Sequence, residues 1–179
     1  GARMLTNDYL WFSYALQVAR RKLNRAPVCA ISYPEALERL NSLPGREGFF
    51  FREYTLDGGT ASGFRRNYFS AENAKRIDAI CQTLQQWRAE EQIDEDMYYL
   101  LAANLVDAIT KVSNTSGTYG AFLKGDDHRK YKPLRLLPVT FWDNHQENRA
   151  YCADIRELIG QVEGDLLYLD PPYNGRQYP

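Results

Sequence analysis

AYCADIRELIGQVEGDLLYLDPPY, residues 150–173, carries the order of elements that decides the fold. Apolar AYC leads into Asp154, IRELIG follows as a short helix, and a second apolar run, LLYLD, ends in Asp170. Strand, acid, helix, strand, acid is the order expected of a parallel sheet with crossover helices. The amino-terminal end uses the same grammar. RMLTND reads as a short strand ending in Asp8, and a helix follows from about Tyr9 to Arg25. Ligands of parallel sheets sit beyond the carboxyl ends of the strands, so Asp8, Asp154 and Asp170 are expected to face one crevice.

Between these ends the pattern is mostly helical. The first half of the early helix, YLWFSYAL, is apolar nearly all round and is expected to be buried. Pro34 suits the first position of a helix running to about Leu43, where Pro44-Gly45 stops it. Residues 45–63 read as loop with a short strand. Ser70 can cap a helix over about 71–90, in which Ile77, Ile80, Leu84 and Trp87 form one apolar face. Asp94 can cap another over about 95–112. From Ser113 to Pro138 the chain is irregular and rich in Gly, Asn and Lys. The expected class is therefore α/β: an incomplete Rossmann-like sheet from residues 1–44 and 139–179, with a mostly helical insertion over 45–138.

Composition bounds the function classes. The 179 residues are 44% hydrophobic and 25% charged, as in a globular domain, and the net charge of −1 gives no global field for nucleic acid. Basic residues cluster locally, at Arg20–Arg25, at Arg65-Arg66 and from Lys124 to Arg135. Three widely spaced cysteines and two histidines argue against a disulfide framework or a metal site. No apolar run reaches the length of a membrane span and no secretory signal is present, so the expected location is cytoplasmic, with no membrane partner.

Asp170-Pro171-Pro172-Tyr173 is the sharpest motif. Proline fixes φ and lacks an N–H, so two in succession stiffen the loop leaving a strand and leave acceptors without local donors. The Asp170 carboxylate and the Pro171 carbonyl then suit an exocyclic amine, which has two N–H donors. Tyr173 offers a face on which a base can stack. Acids and Pro-Pro also occur in ordinary strand-ending turns.

LLYLDPPYNGRQY resembles the catalytic motif of the Dam-like, adenine-specific DNA methyltransferases, which use S-adenosylmethionine. Its extension through Asn174, Arg176, Gln177 and Tyr178 resembles a restriction-modification branch of that group. LTNDYLWFSYAL resembles the strand and helix after the family's glycine-rich cofactor loop, and SNTSGTYGAFLK the segment before its DNA-recognition elements. The resemblance implies that Asp170, Pro171, Pro172 and Tyr173 are catalytic. It implies that Asp8 accepts from the cofactor ribose hydroxyls and Asp154 from the cofactor adenine amine, although each acid also suits a helix N-cap. With double-stranded DNA as partner, Ser113, Asn114 and Thr115 would supply short polar contacts. Lys124, Arg129 and Lys130 would meet phosphates, and Arg176 is counted with the DNA-binding residues.

The pattern departs from the family in its glycine-rich loop and in the family's remaining strands and helices, which have no counterpart here. Nothing here matches its Phe-x-Gly-x-Gly loop, so missing segments or a second chain are expected to complete the cofactor site. The leading expectation is methyl transfer to a flipped adenine in DNA. The competing ones are an inactive DNA-binding or interaction module, and a methyltransferase acting on RNA.

Overall fold

The computed structural model describes residues 1–59, 63–116 and 121–170. In chain order the elements are β1 (Leu5–Asp8), α1 (Trp11–Gln17) continuing into a π-helical segment (Val18–Lys22), α2 (Tyr33–Asn41) and α3 (Phe49–Tyr54). Next come α4 (Ala71–Ala89), α5 (Glu95–Lys111), a 3-10 turn (His128–Tyr131), β2 (Arg149–Cys152) and α6 (Ile155–Leu158). The chain is therefore α/β, with a small parallel sheet and a helical majority.

β1 and β2 pair in parallel although most of the described chain lies between them, with Leu5 opposite Arg149 and Asp8 opposite Cys152. Asn148 starts the pairing, its Oδ1 accepting from Met4 N at 2.9 Å before Arg149 N donates to Met4 O at 2.9 Å. The second strand ends at Cys152, two residues earlier than expected. Asp154 has already left the ladder and serves as N-cap of α6.

One hydrophobic core joins the parts. Ala15 and Ala19 of the first helix, Leu37 and Leu40 of α2, Ile77, Ile80 and Leu84 of α4, and Met97, Leu100 and Leu101 of α5 belong to a single cluster with Leu134 and Leu136. It extends across the boundary expected at residue 44. The irregular ribbon over 130–139 joins this core without a ladder, because side chains take its backbone groups. Asn73 Nδ2 donates to the carbonyls of Lys130 and Lys132, and its Oδ1 accepts from Leu134 N. Asn41 bonds both peptide groups of Leu136. Tyr33 Oη accepts from Val139 N at 2.9 Å and donates to Asn104 Oδ1 at 3.0 Å.

The long helices begin where their caps predict. Ser70 Oγ accepts from Asn73 N at 3.3 Å, and an Asp94 carboxylate oxygen from Met97 N at 2.7 Å. Three other expectations fail. Residues 49–54, read as loop or strand, form α3, because the Asp78 carboxylate on α4 accepts from Phe50 N and Phe51 N at 2.9 and 2.8 Å. That cap comes from a residue 27 positions beyond Phe51, where local sequence cannot show it. The first half of α1 is not buried: Trp11 is 64% exposed, Tyr9 and Phe12 are also exposed, and only Ala15 of this helix is fully inside. Its aromatic rings pack instead on one side, Trp11 stacking on Tyr99 with centroids 6.1 Å apart. LLYLD forms no strand among the described residues. A strand requires a ladder partner, none pairs with 166–170, and Leu166 is 91% exposed.

Gly48 is where α3 meets its distant cap. A Cβ there would lie 2.6 Å from Asp78 Cγ, so any side chain must push the carboxylate off the helix. Gly48→Ala is expected to lower unfolding free energy by about 1–3 kcal/mol. Chemical denaturation checks this, and a midpoint equal to the parent's would refute the cap.

Candidate active site

The carboxyl ends of the paired strands carry one acid each, Asp8 as the last residue of β1 and Asp154 two residues beyond the last residue of β2. Adjacent strands lie about 4.8 Å apart, and Asp8 closes the paired register while Asp154 stands two residues beyond its partner Cys152. Asp8 holds the turn into α1: one carboxylate oxygen accepts from Leu10 N at 2.9 Å, the other from Ser13 Oγ at 2.5 Å. Asp154 accepts from Arg156 N at 2.9 Å, and the Arg156 guanidinium lies across both of its oxygens. Those guanidinium hydrogen bonds, followed by the Arg156 N–H, pull the Asp154 carboxyl down to about 2. It therefore stays ionised, and acceptor-only, at any ordinary pH. Asp154 is thus a helix N-cap, whereas Asp8 is not: the N-cap of α1 is Leu10, and Asp8 braces the turn that precedes it.

The arrangement fits the donor chemistry of S-adenosylmethionine. Ribose hydroxyls and an adenine amine are hydrogen-bond donors, and the carboxylates of Asp8, at the end of β1, and Asp154, just beyond β2, are acceptors of the kind they require. An ionised carboxylate has about four acceptor positions; the bonds described use two at Asp8, whereas Arg156 makes four contacts with Asp154, so a ligand there requires the exposed guanidinium to swing aside.

Asp170 is exposed and makes no hydrogen bond to the described residues, and no strand pairing ties it to the Asp8–Asp154 end. Pro171, Pro172, Tyr173 and Arg176 lie outside the described residues, as do Gly117 and Gly120.

The expected DNA-contact residues divide sharply. Ser113, Asn114 and Thr115 are buried, and their polar groups face inward. Asn114 Nδ2 lies within bonding distance of the carbonyls of Asn67, Leu123 and Gly125 at 2.9, 3.0 and 3.1 Å, while its Oδ1 accepts from Asp127 N at 2.8 Å. Ser113 Oγ and Thr115 Oγ1 bond each other at 3.0 Å. Lys130 is only 4% exposed, its ammonium held by Asn67 Oδ1 at 2.7 Å and by Asp126. These four are corrected from direct DNA contacts to loop fasteners, since burying a polar group or charge requires internal partners, which then occupy it.

Arg129 is half-buried, paired with Asp127 at 2.7 Å and donating to Thr115 O at 3.0 Å. Its guanidinium, then its N–H, hold the Asp127 carboxyl down at about 2. Asp126 is lowered as well, first by Asn67 and then by Lys130 and Tyr131. Lys124, by contrast, is exposed and has no hydrogen-bond or ion-pair partner among the described residues.

Sequence reading missed Asn67, Asp126 and Asp127, which complete this network. Asn67 is 47 residues from Asn114 and nothing local marks it, whereas the Asp126-Asp127 pair beside Arg129 and Lys130 was a visible charge-pairing signal. A cleft of about 380 Å³ lies between α5 and residues 135–140. Arg20, Lys111 and Arg135 line it with Asp107, whose two oxygens both accept from Arg20 at 2.7 Å. Among the described residues no cluster of acids, cysteines and histidines is placed to hold a metal ion, and no helix is long and apolar enough to cross a membrane.

The sequence profile of the D12 class N6 adenine-specific DNA methyltransferases matches residues 1–179. Type II methyltransferase M.NlaIII of Neisseria lactamica is 42% identical over 176 residues, 98% of this chain and 51% of that protein. Type II methyltransferase M.FokI of Planomicrobium okeanokoites is 41% identical over 179 residues, 98% of this chain and 28% of that protein. Type II methyltransferase M.CviAII of Paramecium bursaria Chlorella virus 1 is 36% identical over 185 residues, 97% of this chain and 50% of that protein. The chain thus spans between about a quarter and a half of the length of these relatives. No solved structure matches it significantly.

Proposed function

Since the chain belongs to the D12 class N6 adenine-specific DNA methyltransferases, we propose that it carries the adenine-methylating site of a restriction-modification enzyme. The reaction moves a methyl group from S-adenosylmethionine to the exocyclic amine of an adenine turned out of a specific DNA site. The observation that supports this reading best is that two adjacent parallel strands each lead into an acid at the carboxyl end, Asp8 closing β1 and Asp154 following β2 by two residues. The cofactor supplies an electrophilic methyl group on sulfonium. Asp8 accepts from its ribose hydroxyls and Asp154 from its adenine amine.

In this reading, residues 166–170 lie alongside the small sheet in the working enzyme and extend it toward a Rossmann-like sheet. That pairing covers the apolar side chains exposed there and sets Asp170 at the same strand-end crevice. The Asp170 carboxylate and the Pro171 carbonyl accept the two amine hydrogens, which draws the nitrogen lone pair out of conjugation and aims it at the methyl group. Flipping the base costs a few kcal/mol, and stacking on Tyr173 returns about 1–3 kcal/mol of it. The glycine-rich loop that would wrap the methionine end has no match in residues 1–179, so the proposal assigns it to polypeptide outside them.

DNA follows the surface around the fastened loops. Exposed Lys124, with Lys111 and Arg135 beside the cleft, supplies phosphate contacts, which position without specifying sequence. Incubation with methyl-labelled S-adenosylmethionine and DNA containing the target site tests the reading. Label recovered as N6-methyladenine supports it. Label recovered only from RNA, or salt-sensitive DNA binding with no affinity for the cofactor, refutes it.

A further inference from the structure

The two strands stop pairing at Asp8 and Cys152. Ala153 would next face Tyr9, but the chain turns there toward α1. The Asn7 side chain fills the gap. Its Nδ2 donates to Ala153 O at 3.1 Å, and its Oδ1 accepts from Ala153 N at 3.1 Å. A single amide thus satisfies both peptide groups of the residue before Asp154, as a neighbouring strand would.

We infer that Asn7 is a positioning residue for cofactor binding: by continuing the ladder through its side chain, it holds Ala153 and so aims the Asp154 carboxylate into the space that Asp8 faces. The inference rests on reading those two acids as the acceptors for S-adenosylmethionine. Its support is the placement. Asn7 immediately precedes Asp8 and Ala153 immediately precedes Asp154, so two hydrogen bonds tie the residues next to both acids. Asparagine is also depleted in strands, and its presence inside a four-residue strand calls for a specific use of its amide. Both bonds are only partly buried. Water can therefore replace the amide with little loss of stability, while the direction of Asp154 is lost.

Few other side chains can do this. Aspartate keeps the acceptor, loses the donor and sets a carboxylate against the Ala153 carbonyl beside Asp8. Alanine removes both bonds.

The test uses the protein together with the polypeptide that supplies the glycine-rich loop, and compares it with its Asn7→Ala and Asn7→Asp variants and, as a core control, Ile80→Val. Affinity for S-adenosylmethionine is measured by calorimetry, cognate DNA affinity without cofactor by titration, and exchange of the Ala153 amide in the free protein by mass spectrometry. Both Asn7 variants are expected to bind cofactor about tenfold more weakly, the scale of one misdirected hydrogen bond to a charged acceptor. The KM for the cofactor rises with kcat near the parent value, DNA affinity is unchanged and the Ala153 amide exchanges faster. Ile80→Val lowers the melting temperature and leaves cofactor affinity alone. Parent-like cofactor affinity in Asn7→Ala overturns the inference, as does an equal loss in Ile80→Val. A parent protein that binds no S-adenosylmethionine overturns the reading of the two acids and this inference with it.

Discussion

Asp170→Ala is expected to lower methyl transfer by roughly a hundred- to a thousandfold, the scale seen when one preorganised polar group is removed from a reacting centre. The loss should be chemical rather than structural. Asp170 is exposed and bonds to none of the described residues, so its removal leaves no buried group unsatisfied and should not move the melting temperature. Cofactor affinity, assigned to Asp8 and Asp154, should stay at the parent level, and so should DNA affinity, assigned to the loops. Asp170→Asn sharpens the argument. Its carbonyl oxygen can accept one amine hydrogen, but its own NH2 faces the target nitrogen as a competing donor, so nearly all of the loss should remain. Single-turnover transfer of labelled methyl to a target-site duplex reads the effect. Transfer within threefold of the parent, with folding and both affinities intact, would remove Asp170 from the chemistry.

The sequence disclosed what depends on neighbours in the chain. Ser70 and Asp94 start α4 and α5 because an N-cap bonds three residues ahead, and Ile77, Ile80, Leu84 and Trp87 line one face because a helix repeats every 3.6 residues. Long-range features were hidden for a matching reason. α3 depends on a carboxylate from α4, and no window around FFFREY contains it. Apolar character showed which side chains would gain from burial, at YLWFSYAL and at LLYLD, but not whether anything lies against them. The acid after each apolar run marked where β1 ends and, to within two residues, where β2 ends. The Asn7 bridge between them joins residues 146 apart and carries no local mark. Polar residues in the irregular segment were the least legible. Asn and Lys there suggested an outward, ligand-facing loop, yet composition does not give direction, and Asn114 and Lys130 turn inward to each other's neighbours.

That inward turn makes Asn114 a point at which substitution should be costly. It is fully buried, its side-chain amide reaches three carbonyls and one N–H, and its backbone adds a bond from its N–H to Tyr68 O at 2.8 Å and one from Leu123 N to its carbonyl at 2.9 Å. Three stretches of irregular chain, around Asn67, Asn114 and 123–127, are joined through this one residue. Asn114→Ala keeps the backbone bonds and strands the four side-chain partners. At about 1 kcal/mol for each orphaned group, the loss is roughly 3–4 kcal/mol. Asn114→Asp separates bonding from volume. It is the same size and can still accept from Asp127 N, but it turns the donor into an ionised oxygen among three carbonyls, so it should destabilise at least as much as alanine. Urea denaturation measures both, and amide exchange at Leu123 and Asp127 should quicken well before global unfolding. Affinity for the target DNA should fall too, because Lys124 then hangs from a loop with no fixed direction, while cofactor affinity at the distant strand ends should hold. An aspartate variant within about 0.5 kcal/mol of the parent would show that the three carbonyls do not rely on the amide, and the account of the loop cluster would fail.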